Sequence, residues 1–285
     1  MKFDVIAGNP PYQAPQDRDD KSSGRSGTLL WDKFVVKSME LLKDGGYLCY
    51  VHPAGWRGFG KATESARTML RSKQIHYLEI HDEKDGLKVF GAETRYDWYV
   101  AQNKPTTSKT AILGQDGKKA KLLLPSLPFI PNGMLDEILS LVAKDGEEKV
   151  TMLYTRSAYG SDKEWMSDIK EGNFRHPCVY AISKEGVPTF FYSSIANNNG
   201  FGTPKVIFAS GRISSANYIV DEKGQFGMTQ FAKGIVDTVE NLPKIAEAMR
   251  TEKFKRIMEM CAVGFLEINK DTLATFRKDF WKAFV

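Results

Sequence analysis

The 285-residue chain holds only three cysteines, Cys49, Cys178 and Cys261, far apart and odd in number. They form no CxxC or Cys/His ligand spacing, which excludes a disulfide-framed secreted domain and a structural zinc centre as readings of the sequence. Four histidines, His52, His76, His81 and His176, likewise share no ligand spacing, so structural roles are expected for them and no metal. No apolar run approaches the length that spans a bilayer, and Met1 leads straight into a strand-like stretch instead of a basic-then-apolar leader. The expectation is a cytoplasmic chain without a membrane partner. Charge of one sign is also scarce: 40 basic against 35 acidic residues leave a net charge of +5, enough to favour approach to a polyanion and too little for a DNA-packing protein. Neither an internal repeat nor a nuclease pattern of the PD-(D/E)xK kind is present.

What the chain has is an ordinary folding composition, 42% hydrophobic, and length for two domains. Phe3 to Ala7 reads as a short buried strand that Gly8 and two prolines end abruptly. Gln13 to Ser26 is polar and charged, with Arg18, Lys21 and Arg25 among Asp, Ser and Gly; it is a surface loop, either a solvated linker or a contact to a nucleic-acid backbone. Trp31, Phe34, Val35, Ser38, Leu41 and Leu42 recur at helical spacing, with Gly45-Gly46 as the stop. A strand at Tyr47–Val51, a helix over Lys61–Leu70, and strands at Ile75–Ile80 and Asp97–Gln102 follow, so the first part is an α/β sheet. Past Lys104 the character changes, placing a domain boundary there and dividing the chain into residues 1–104 and 105–285. Strands are expected at Val179–Ile182, Phe190–Ser193, Val206–Ala209 and Tyr218–Val220, a helix over Leu242–Cys261, and a closing core stripe of Leu273, Phe276, Phe280, Trp281 and Phe284.

The stretch that carries chemistry is Asn9-Pro10-Pro11-Tyr12. The amino group of an aromatic base is a poor nucleophile because its lone pair is delocalised into the ring. An Asn side-chain oxygen and a neighbouring backbone carbonyl, here Asn9 and Pro10, can accept both amino hydrogens and free that lone pair. Two prolines hold the backbone near fixed φ, so the acceptors stay aimed, and Tyr12 offers a face for base stacking.

Phe-Asp-Val-Ile-Ala-Gly-Asn-Pro-Pro-Tyr-Gln resembles the catalytic motif of Eco57I-type adenine-specific DNA methylases of restriction-modification systems. Leu41-Leu42-Lys43-Asp44-Gly45-Gly46-Tyr47-Leu48 with Val51-His52-Pro53 is similar to the helix and strand that follow it there, and Phe226–Phe231 and Arg277–Lys282 to the family's far end. The resemblance implies an α/β fold, the C-terminal half of a Rossmann-like methyltransferase sheet, followed by a mixed α+β target-recognition domain. It implies double-stranded DNA as partner, a flipped adenine as substrate and S-adenosyl-L-methionine as cofactor. It also implies a second aromatic wall for the base, for which Trp98 and Tyr96 are the candidates. Arg57, Arg156 and Arg212 are candidates for phosphate contact, as are Lys205 and the three basic residues of the Gln13–Ser26 loop. The amide-rich Tyr192–Phe201 loop is either a base reader or a plain turn. In such enzymes the glycine-rich turn and acidic strand ends that hold the cofactor precede the catalytic loop, whereas here a few residues do, and Met1-Lys2-Phe3-Asp4 reads like an interior stretch. The cofactor site is therefore expected to be incomplete, the sheet to have an open edge and an uncovered face, and a partner chain to supply the rest. Two readings stay beside this one: a glutamine methyltransferase of release factors, which ends sooner after the loop, and a non-catalytic DNA-binding or specificity subunit.

Overall fold

A computed structural model of the chain describes residues 1–14, 29–197, 199–264 and 266–285. They form two compact units, Met1–Leu135 and Asp136–Val285. The Gln13–Ser26 loop falls largely, and Arg18, Lys21 and Arg25 wholly, outside the described residues.

The first unit runs β1 (Phe3–Gly8), α1 (Trp31–Leu41), β2 (Leu42–Pro53), α2 (Glu64–Ser72), β3 (Lys73–His81), α3 (Glu83–Phe90), β4 (Tyr96–Pro105), β5 (Thr110–Leu113) and β6 (Lys119–Leu122). Its six strands lie in the order β1-β2-β4-β3-β5-β6. β1 and β2 are parallel, and β4 runs antiparallel between β2 and β3. The sheet is mixed, because Tyr96–Pro105 returns directly from α3 into the gap beside β2.

Burial explains the layering. Along β2 every second residue, Leu48, Tyr50 and His52, is buried, while Tyr47, Cys49, Val51 and Pro53 point to the other, partly exposed face. The buried face takes Trp31, Val35 and Met39 of α1 and Ala66 and Leu70 of α2 into one core with Leu78, Ile80 and Tyr99. Asp32 on α1 accepts a hydrogen bond from the Ala66 N–H (2.8 Å) and Ser38 meets the Tyr50 hydroxyl (2.6 Å), so the polar positions that face this core are bonded inside it. β1 is the edge, with Phe3 40% and Val5 57% exposed.

Gly45-Gly46 does not stop α1. The helix ends at Leu41, and Leu42 is already extended and paired with Phe3. The glycines instead form an irregularity inside β2, where Gly45 has φ +76° and a Cβ on Gly46 would lie 3.0 Å from the Asp4 carbonyl. Their role is to let β1 approach β2.

The boundary also moves, from Lys104 to Leu135. β5 pairs in parallel with β3, and β6 closes on β5, so both belong to the first sheet. Arg57 then ties the stretch after β6 to the same unit. It is fully buried, donates from Nε to Asp97 Oδ2 (2.8 Å), from Nη1 to the Ile130 carbonyl (2.9 Å) and from Nη2 to Asn132 Oδ1 (2.7 Å). Trp56 Nε1 donates to the same Asp97 oxygen at 2.8 Å. Burial pushes the Asp97 carboxyl up, and Arg57 and Trp56 pull it back. The expected phosphate contact by Arg57 is overturned: every nitrogen of its guanidinium is spent inside the fold.

His52 is buried in the same layer. Its ring stacks on Trp31 with centroids 4.3 Å apart, and Nε2 lies 3.0 Å from the Tyr99 hydroxyl. Burial lowers its pKa from 6.5 to about 4. Below about pH 6.5 the unfolded chain takes up a proton that the folded chain refuses, so stability is expected to fall as pH drops from about 6.5 towards about 4. The loss should reach about 2–4 kcal/mol at the low end. Urea unfolding at pH 7.5 and pH 4.5 measures it, and a His52→Phe chain with an equally steep dependence would show that another group is responsible.

The second unit holds α4 (Leu135–Leu141, its first residue in the first unit), β7 (Thr151–Leu153), α5 (Arg156–Tyr159), β8 (Met166–Ser167), β9 (His176–Ile182), β10 (Pro188–Ser193), β11 (Lys205–Ala209), β12 (Tyr218–Asp221), β13 (Gly227–Met228), β14 (Ala232–Val236), α6 (Leu242–Arg250), α7 (Glu252–Cys261) and α8 (Lys270–Leu273). Two four-stranded sheets result, ordered β13-β9-β10-β8 and β12-β11-β14-β7. The single helix expected over Leu242–Cys261 is two, because Thr251 is extended and its side chain caps α7 on the Phe254 N–H. Leu273, Phe276 and Phe280 are fully buried as expected of core.

Candidate active site

In open α/β sheets, ligands bind beyond the carboxyl ends of the parallel strands. In the first unit that end gathers the exit of β1 at Gly8, the exit of β2 at Pro53, the exit of β3 at His81 and, because β4 is antiparallel, its start at Tyr96. Pro53 pairs with Tyr96, and Tyr96 with His81. Asn9-Pro10-Pro11-Tyr12 leaves β1 at this end. Asn9 is exposed, Pro10 is buried and Pro11 is exposed, so the loop is anchored by its first proline while the amide is presented outward. The Tyr12 carbonyl accepts from the Leu30 N–H at 3.0 Å, which returns the chain to the start of α1. Half-buried Tyr12 packs on the core. Its hydroxyl lies beside Asn9 without a well-formed hydrogen bond, and burial raises its pKa.

The ring that faces Tyr12 is Phe90, at 6.4 Å between centroids and 74° between planes. Phe90 stands between Tyr12 and Tyr96, edge-on to Tyr96 as well (4.9 Å, 83°). Tyr96 is 5% exposed; His81 covers its ring at 4.4 Å and 5°, and its hydroxyl donates to Asp85 Oδ2 at 2.5 Å. With both resources committed, Tyr96 has no free face for a base. Trp98 lies two residues further along β4 and leans on Tyr77 (4.9 Å).

Phe90 escaped the sequence reading because Asp82-Glu83-Lys84-Asp85 reads as a solvated loop. It is the first turn of α3. Asp82 caps that helix by accepting from the Asp85 N–H (2.9 Å), and Gly91, at φ +69°, closes it directly after Phe90. The legible signal was the cap pair, Asp82 at one end and Gly91 at the other. Gly86 in the helix interior obscured it, and its absence of a side chain is required: a Cβ there would lie 2.0 Å from the Thr94 carbonyl oxygen.

The basic candidates of the second unit differ in their settings. Arg156 is partly exposed and makes a two-pronged pair with Asp162 (2.6 and 3.0 Å). Arg212 is exposed beside the turn at Ile213–Ser215. Lys205 is buried and bonded to Asp221 (2.7 Å) and to the Gly200 and Thr203 carbonyls, so it is a fastening of the preceding loop and not a phosphate contact. Asn197 of that loop accepts from the Tyr159 hydroxyl (2.7 Å) and the Asn199 N–H (3.2 Å), which commits its side-chain oxygen to the loop's own architecture.

The strand, loop and following strand that build this end are also the matched part of the chain. Residues 1–90 match the Eco57I restriction-modification methylase family. Over 56 residues, 20% of this chain and 12% of the relative, it is 41% identical to an "uncharacterized adenine-specific methylase" of Mycoplasma pneumoniae. Among solved structures, the type IIL restriction-modification enzyme MmeI in complex with DNA aligns with 95% of this chain and 45% of its own, at TM-score 0.50 and 8% identity, a likeness of fold. The M protein of the type I restriction enzyme EcoKI aligns with 39% of this chain and 25% of its own, at TM-score 0.31 and 16% identity. The matches span less than half the length of each of these relatives.

Two other strand exits at this end are occupied by the chain's own packing. At the β2 exit the glycines are consumed by packing, Gly55 against Thr63 and Trp31, next to the buried Trp56 and Arg57. At the β3 exit the first helical turn is closed by Asp82 of the chain itself.

Proposed function

We propose that the first unit is the base-side part of a DNA adenine-N6 methyltransferase of a restriction-modification system, that the second unit contributes to gripping duplex DNA, and that the cofactor site is completed by a partner chain. The observation that carries this reading is an exposed Asn9 next to the buried Pro10, in the loop whose Tyr12 meets Phe90 at the carboxyl end of the sheet. The family match on residues 1–90 supports it.

Each residue then has a task. Asn9 Oδ1 and the Pro10 carbonyl accept the two amino hydrogens of an extruded adenine and draw its lone pair out of the ring. Pro11 stiffens the loop. Tyr12 stacks on one face, a contact of about 1–3 kcal/mol per base. Phe90 closes the other face after turning from edge-on to face-on, a rotation about a soft terminal torsion. S-adenosylmethionine would supply the methyl group. Arg156 and Arg212, with Arg18, Lys21 and Arg25, are the proposed DNA-backbone contacts.

Calorimetry with S-adenosylmethionine tests the reading, on the chain alone and then with the candidate partner chain, followed by transfer of labelled methyl groups to duplex DNA. The expected result is binding and transfer only in the presence of the partner. Salt-dependent DNA binding with no cofactor binding in either case would replace it with the second reading, a non-catalytic DNA-binding subunit.

A further inference from the structure

Behind Phe90 lies a cluster that the proposed chemistry does not use. His81 ends β3 with its ring flat against Tyr96, centroids 4.4 Å apart and planes 5° from parallel. Its Nδ1 is 2.8 Å from Asp85 Oδ2 on α3, and its Nε2 is 3.2 Å from Glu79 Oε1 on its own strand. Asp85 Oδ2 also accepts the Tyr96 hydroxyl. One histidine therefore touches all three elements that meet behind the site, β3, α3 and β4. It fixes the plane of Tyr96 by stacking, and it fixes the first turn of α3 through Asp85.

Both constraints end at the same ring. Phe90 is the last residue of α3, so the position of the helix sets where its ring stands. Phe90 also packs edge-on against Tyr96, so the plane of Tyr96 sets which way that ring can turn. Gly86 presses the helix against Thr94 and leaves it little freedom to shift by other means. A partly exposed contact between an imidazole and a carboxylate contributes little stability, and here Asp85 is 37% exposed. The value of the arrangement is in geometry.

We propose that His81 is a positioning residue of the base cleft, acting through Tyr96 and Asp85 on Phe90. The assignment of the cleft to a base rests on the function proposed above; the control of Phe90 by His81 does not. A chain carrying 4-fluorophenylalanine at residue 90 reports the ring directly by fluorine resonance, with neither DNA nor methyl transfer needed. His81→Ala is expected to shift and broaden that resonance while the unfolding midpoint stays within a few degrees. His81→Phe, which keeps the stack on Tyr96, is expected to restore a narrow line, and His81→Gln, which keeps the bond to Asp85, to restore it in part. An unchanged resonance in His81→Ala overturns the proposal. Where the partner-complemented enzyme methylates DNA, His81→Ala should lower kcat about 10- to 100-fold, the scale for displacing a substrate-holding group, with KM for DNA within about twofold. A wild-type complex that methylates nothing overturns the base cleft, and the fluorine signal still judges His81.

Discussion

Asn9→Ala is expected to leave the chain folded and DNA binding within about twofold, and to reduce methyl transfer by the partner-complemented protein about 100- to 1,000-fold in kcat, the range seen when one preorganised polar group is removed from a developing charge. Asn9 is exposed at the strand exit and carries none of the core, so no loss of stability should accompany the change. The loss arises because a single acceptor, the Pro10 carbonyl, cannot draw both amino hydrogens out of conjugation with the ring. Asn9→Asp keeps an oxygen acceptor on the same stem and should retain part of the activity. Labelled methyl transfer with a parallel DNA-binding titration separates the two effects. If Asn9→Ala transfers methyl groups at the wild-type rate, the catalytic reading of the loop is wrong. If it loses DNA binding as well, Asn9 is a contact residue and not the group that activates the amine.

Arg57→Ala should act in the opposite way, on folding and not on DNA. The substitution leaves the Asp97 carboxylate fully buried with Trp56 as its remaining donor, and it removes the guanidinium donors to the Ile130 carbonyl and to Asn132 Oδ1. Breaking a buried pair from one side costs about 3–5 kcal/mol. For a unit of this size, thermal unfolding should fall by roughly 10–20 °C. The paired change Arg57→Met with Asp97→Leu should recover part of that loss, because no unmatched charge remains. A phosphate contact would behave otherwise: the stability would hold and the slope of DNA affinity against salt would drop by about one. Scanning calorimetry of the two variants distinguishes these outcomes.

Arg57 also shows where sequence reasoning stopped. Ala54-Gly55-Trp56-Arg57-Gly58 has the composition of an exposed loop, and nothing local reveals that its cation has a carboxylate forty residues on. The partner is set by β4 falling antiparallel beside β2, a tertiary fact. Strand β1, its proline exit and α1 were legible as elements because a strongly apolar run and a strict helical period leave few alternatives, but β1, expected to be buried, is largely exposed because it lies at the sheet edge. The β5–β6 hairpin was not, since Lys119 and Lys121 alternate with Ala120 and Leu122 along an edge and read as linker. Helix α3 was obscured for a related reason: Leu87 and Val89 are 49% and 55% exposed, so its apolar residues do not mark the buried face. The aromatic wall was expected on β4, where Tyr96 and Trp98 sit; the ring in contact with Tyr12 is Phe90, one element earlier. Sequence could name aromatic residues near the strand end but could not rank them by which ring is already engaged.

The loop that presents Asn9 hangs from β1, and among the described residues β1 is hydrogen-bonded to a neighbour on one side only, with its side chains largely in water. Strands secured in this way open at a small free-energy cost compared with central ones such as β4, and their amides exchange with solvent accordingly. The aim of the Asn9 amide is therefore fixed by an edge strand of the sheet. Any segment that pairs along that free edge would stiffen the loop without touching it. By reciprocity, a base held in the cleft would tighten the grip of that segment by the same factor.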